Sequence, residues 1–217
     1  MPPRALTPSG IILVDKPAGP TSFDIVAAVR RRTGARTGHA GTLDPFATGL
    51  LLLLSGAATR LQGEFVGLPK RYVTDIDLTA RTTTGDVEGE RLESDEVLSG
   101  AELDATLADL RGPVDLPIPA ASAVKIDGER AYALHRRGVA VEMPVRTMTI
   151  HELTALERAD DRITIELYVS SGTYVRSVAD ALGGHCVALR RTEIGPFRVD
   201  EADEERIIAP EDALARL

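Results

Sequence analysis

A chain of 217 residues that is 43% hydrophobic can bury one substantial core, and its four histidines and single cysteine, Cys186, supply neither an internal disulfide nor a clustered Cys/His metal site. No apolar run approaches the roughly 20 residues that span a bilayer, and the N-terminus lacks the basic-then-apolar order of a signal peptide, so a cytoplasmic protein without a membrane partner is expected. The net charge of −8 argues against a nucleic-acid partner only until its distribution is read. Residues 86 to 104 carry eight acids against Arg91, a net −7, and residues 200 to 212 carry seven against Arg206, a net −6, so the remainder stands at +5. That remainder holds Arg30, Arg31, Arg32 and Arg36, then Lys125, Arg130, His135, Arg136 and Arg137, then Arg190 and Arg191. One basic face with acidic flanks is compatible with RNA binding.

Residues 10 to 15 are β-rich and end at the Pro17-Ala18-Gly19-Pro20 turn. Thr21 or Ser22 then caps a helix that buries Ile25, Val26 and Val29 at helical spacing and stops at Gly34. Its last turn, Arg30-Arg31-Arg32, suits the negative end of a helix. A polar, glycine-punctuated loop from Gly38 to Gly49 follows, with Pro45 biasing Asp44 toward an extended conformation. On loop chemistry alone Asp44 is equally an ordinary turn residue. Leu50 to Leu54 reads as a buried strand or short core helix, a rigid base for a placed acid.

Arg71 to Leu78 alternates Tyr72, Thr74, Ile76 and Leu78 against Val73, Asp75 and Asp77, as a strand covered on one side would. Thr82 to Asp86 is a loop, and residues 101 to 111, with Leu103, Leu107 and Leu110, form an amphipathic surface helix. Gly112-Pro113 through Pro117-Ile118-Pro119 is expected to break regularity, and Pro119 to about Thr147 is a polar, basic excursion from the core. Arg162 to Val169 is the clearest strand. Strands outnumber helices without regular βαβ alternation, which favours an α+β fold with a mixed, mainly antiparallel sheet in a single domain over 1–217.

The string Gly38-His39-Ala40-Gly41-Thr42-Leu43-Asp44-Pro45-Phe46-Ala47-Thr48-Gly49 resembles the signature of the bacterial tRNA pseudouridine-55 synthases, the TruB family. The resemblance continues through Gly10–Ser22, Lys70-Arg71-Tyr72, Ser122-Ala123-Val124-Lys125, Ser171–Ser177 and Ala188-Leu189-Arg190-Arg191-Thr192. It implies a central sheet flanked by helices, a thumb-like insertion at about 119–147 that closes on RNA, and conversion of a uridine in the T loop of tRNA to pseudouridine. No metal or cofactor is implied, the partner is the T-arm stem-loop, and a monomer is expected. Only about twenty residues follow Gly195-Pro196-Phe197, so the C-terminal RNA-binding extension of many members is expected to be absent.

By the same resemblance Asp44 is the catalytic carboxylate, as acid/base or nucleophile, and Arg176 is the cation that offsets its desolvation. Tyr72 stacks on the uracil and handles the C5 proton. Tyr174 lies against the target base and shares a face with Arg176 if the segment is extended. Leu189 lines the uracil pocket, and His39 fills the space left by a flipped base. Lys16 and Lys125 match family lysines near the RNA or the active-site loop. Two departures stand out: the chain between Arg176 and Ala188 is short, and Leu78-Thr79 replaces a usual Leu-Gly. A tRNA-binding or folding chaperone is the alternative function. A phosphate-cradling loop at 38–49 is disfavoured, because it lacks the Gly-Lys-Ser/Thr of a P-loop.

Overall fold

The structure, a computed structural model, describes residues 9–92, 98 and 100–217, so part of the acidic 86–104 segment lies outside the described residues. In chain order the first elements are β1 (Gly10–Lys16), α1 (Ser22–Thr33), β2 (Thr37–His39), β3 (Thr48–Ser55), α2 (Gln62–Val66) and β4 (Lys70–Asp77). Then come α3 (Gly100–Asp109), β5 (Gly112–Pro117), β6 (Lys125–Ile126), β7 (Glu129–Arg130), α4 (Ala131–Arg136), β8 (Val145–Arg158) and β9 (Arg162–Val169). The last are α5 (Val175–Ala181), β10 (His185–Ile194), β11 (Phe197–Arg198), β12 (Asp203–Ile208) and α6 (Pro210–Leu214). Two compact units result: residues 1–72 with 189–217, and residues 73–188.

In the first unit the strand order is β12-β1-β3-β10, with β2 beside β3 and β11 beside β10. The five-leucine run is a strand, not a helix, and both of its faces are buried. Leu50, Leu52 and Leu54 pack with Ile11, Leu13, Phe65 and Phe197, while Leu51 and Leu53 pack with Ile12, Val14, Val26 and Val29. Burial of the five side chains is worth roughly 10 kcal/mol before chain entropy is charged against it, which makes β3 a stiff base for the loop that precedes it. β3 runs antiparallel to β1 and parallel to β10. Helix α1 has the expected ends: Thr21 caps it in a capping box with Asp24, and Gly34 closes it at φ 65°.

In the second unit the order is β4-β9-β8-β5, with β8 antiparallel to both β9 and β5. The alternation read in Arg71–Leu78 and Arg162–Val169 is present as alternating burial along β4 and β9. Residues 112–117, expected to be irregular, are strand β5. Both prolines fit there because β5 is an edge strand with one neighbour, so a missing N–H on the outer side breaks no ladder. Within 119–147 lie the β6–β7 hairpin and α4. Asp127 at φ 49° and Gly128 at φ 90° make the two-residue turn whose twist suits a hairpin. The fold is α+β with a mixed, mainly antiparallel sheet, as expected.

Candidate active site

Asp44 sits half-buried in the loop between β2 and β3. The signature is not loop throughout, since Thr37–His39 pairs with Leu53–Ser55 and brings the loop back over β3. The polypeptide on both sides of Asp44 is held by buried side chains that reach for its backbone. Ser22 Oγ donates to Leu43 O at 2.9 Å and accepts from Leu43 N at 2.8 Å. Lys16 Nζ donates to Pro17 O, Pro45 O and Ala47 O at 2.9, 3.1 and 2.7 Å, and Gly19 N donates to Pro45 O at 2.8 Å. Arg191 donates to Gly41 O at 3.1 Å, Thr42 O at 3.3 Å and Leu50 O at 2.7 Å. Each of these contacts is made to backbone atoms.

Of the two alternatives for Lys16, near the RNA or near the active-site loop, these contacts place its buried ammonium against the loop. One expectation is corrected. Arg191 does not belong to a basic face, because alternation along β10 turns Arg190 toward Asp15, 2.7 Å away, and Arg191 inward on the same side as Leu189. Leu189 is buried, and its carbonyl lies 3.5 Å from Thr48 Oγ1. Tyr72 is buried on the covered face of β4.

His39 ends β2, its carbonyl accepting from Gln62 Nε2 at 2.9 Å. Burial, reinforced by the Arg191 charge, holds its imidazole below the ordinary histidine range, so the ring is neutral at pH 7. Its Nδ1 is buried with no hydrogen-bond partner among the described residues. Beside Arg191, Lys70 is buried and donates to Val66 O and Leu68 O at 2.7 and 2.5 Å, where its charge suits the end of α2. Burial and then Arg191 push the Lys70 ammonium down to about 8.

Arg176, Tyr174 and Lys125 belong to the second unit. Arg176 stands in the first turn of α5 and is buried. Its Nη1 donates to Thr84 O at 2.8 Å and lies 3.4 Å from Asp86 Oδ2; its Nη2 donates to Ala121 O at 3.0 Å. Asp86, at the start of the acidic 86–104 segment, is buried and also accepts from Thr84 Oγ1 at 2.6 Å. Its signal in the sequence is a carboxylate two residues beyond a threonine in a Gly-containing turn. A cavity of about 260 Å³ opens between Thr82–Gly85, Pro117–Ala120 and Arg176. Tyr174 is the residue before α5, at φ −101° and ψ 109°, so the segment is not extended through Arg176 and the two do not share a strand face. Lys125 is exposed on β6 opposite Arg130. Nearby, Arg136 lies over the Tyr132 ring at 5.8 Å.

The model of the TruB family pseudouridylate synthase (N terminal domain) matches residues 30–175. A tRNA pseudouridine synthase B of Leifsonia xyli subsp. xyli (strain CTCB07) is 46% identical over 222 residues, covering 95% of this chain and 74% of that protein. The tRNA pseudouridine synthase B of Thermobifida fusca (strain YX) is 45% identical, covering 89% and 72%. Among solved structures, a Cbf5-Nop10-Gar1 complex matches with a TM-score of 0.66 and 29% identity over 88% of this chain. The match spans half of that solved chain.

Proposed function

The chain belongs to the TruB family of pseudouridylate synthases, and we propose that it isomerises uridine-55 in the T loop of tRNA to pseudouridine with Asp44 as the essential carboxylate. The N1–C1′ bond of the uridine breaks, the uracil turns, C5 bonds to C1′, the C5 proton leaves and N1 takes one up. Atoms and electrons balance, so the reaction calls for no oxidant, reductant or group donor. What must be supplied is a carboxylate at a fixed place, and the observation that carries the proposal is the Asp44 loop, tied on both sides of the acid by Ser22, Lys16 and Arg191.

The remaining roles belong to the same proposal. Arg176 is the catalytic cation, held by Asp86, and Tyr72 stacks on the uracil and handles the C5 proton. Tyr174 and Leu189 contact the target base, and the neutral His39 ring occupies the space that base leaves, at an unstacking cost of a few kcal/mol. Residues 119–147 are the thumb, with exposed Lys125, Arg130, Arg136 and Arg137 toward the phosphates of the T-arm stem-loop. The enzyme is proposed to act as a monomer in the cytoplasm.

The test is tritium release from C5-labelled uridine in unmodified tRNA transcript. Wild type releases the label; Asp44→Asn releases none while its RNA affinity stays within about threefold of wild type. Loss of folding or binding in the variant would make Asp44 structural. A wild type that binds tRNA without release would favour the chaperone function instead.

A further inference from the structure

We propose that Arg191 is a positioning residue for the isomerisation: its guanidinium sets the backbone of residues 41–50 and thereby aims the Asp44 carboxylate. The inference rests on the reading of Asp44 as the essential acid. Arg191 reaches both ends of the loop. Before Asp44 its Nη2 and Nη1 hold Gly41 O and Thr42 O, and after it its Nε holds Leu50 O. Its backbone meets Gly49, its parallel partner, so closely that a Cβ on Gly49 would lie 2.2 Å from Arg191 O and 2.8 Å from Arg191 N. The seven residues 42–48 therefore begin and end against one side chain and its own main chain.

The side chain is 1% exposed, and among the described residues no carboxylate lies within ion-pair distance of it. A buried cation satisfied only by carbonyls is a poor way to gain stability, since desolvation is large and well-packed apolar residues serve at least as well. What it does provide is three donors in one rigid plane, delivered in three directions, which a lysine cannot imitate. The charge is also felt nearby, because both His39 and Lys70 lose proton affinity to it.

The experiment compares wild type, Arg191→Met, Arg191→Lys and Asp44→Asn under single-turnover conditions, at temperatures where circular dichroism shows each variant folded. Arg191→Met keeps much of the volume and removes all three donors. Its rate at saturating tRNA is expected to fall by about 100-fold, the order of loss that an ångström of misplacement produces, with tRNA affinity within about threefold. Arg191→Lys, which keeps the charge but loses the fork, should lose about tenfold in rate. Should Arg191→Met fail to fold, the lysine variant decides. A folded variant with wild-type rate overturns the proposal, and so does a loss confined to affinity. Activity surviving in Asp44→Asn would instead sink the reading of Asp44, whatever the arginine variants do.

Discussion

Replacing Ser22 by alanine removes a single oxygen that serves two backbone groups of Leu43, the residue before Asp44. That hydroxyl is 2% exposed, donates to Leu43 O at 2.9 Å and accepts from Leu43 N at 2.8 Å. Alanine strands a buried N–H and a buried carbonyl together, and with about 1–3 kcal/mol for each unsatisfied group the expected destabilisation is about 2–6 kcal/mol. At an m-value of about 3 kcal/mol/M this moves the urea midpoint down by about 0.7–2 M. Thr21→Ala is the matched control. It removes the helix cap, costs about 1 kcal/mol and leaves the Leu43 clasp untouched. Urea titration followed by circular dichroism, beside tritium release in dilute urea, separates the two: Ser22→Ala should lose turnover at urea concentrations where it is still folded, and Thr21→Ala should lose both together. A Ser22→Ala midpoint equal to that of wild type, with turnover intact, would refute the argument that the loop is held from α1.

Two further outcomes follow from neighbouring geometry. Gly49→Ala places a Cβ 2.2 Å from a main-chain oxygen at φ +100°, so the left-handed strain of about 1–2 kcal/mol adds to a forced parting of β3 from β10. Loss of at least about 3 kcal/mol in urea unfolding is expected, and an unchanged midpoint would contradict the close approach. Lys70, pushed down to about 8, should show in the pH dependence of stability. Between pH 8 and the ordinary value of 10.5 the unfolded chain holds a proton that the folded one has released, so this group makes stability rise with pH through that window. Thermal melts from pH 7.5 to 9.5 should show that rise in wild type and a smaller one in Lys70→Met; parallel slopes would assign it to other groups.

Regular elements with strong local signals were legible. Helix α1 carried its cap, stripe and stop in sequence, and β4 and β9 carried their alternation. β5 is hidden by its prolines, which edge position tolerates, and no strand is expected from the sequence over β10. Period two along β10 separates Arg190 from Arg191 and puts Arg191 beside Leu189. Asp44 stood out through its signature, but the side chains that hold its loop did not. Ser22, Lys16 and Arg191 act on carbonyls and an amide, and no residue type in the loop advertises that its backbone is gripped. Of the Thr21-Ser22 pair only one residue could cap the helix; where the other points depends on tertiary structure.

The first unit is discontinuous, residues 1–72 with 189–217, whereas residues 73–188 are consecutive. Made on a ribosome, the chain emits Asp44 about 150 residues before Arg191, an interval of roughly 7–30 seconds at ordinary rates of translation. Over that time β3 can pair with β1 and β2, and Ser22 and Lys16 are already present to hold the middle of the loop. The grip at its two ends waits for β10. Competence for chemistry is therefore among the last properties the nascent polypeptide acquires, and an incompletely synthesised chain ending before residue 191 carries the acid without its brace.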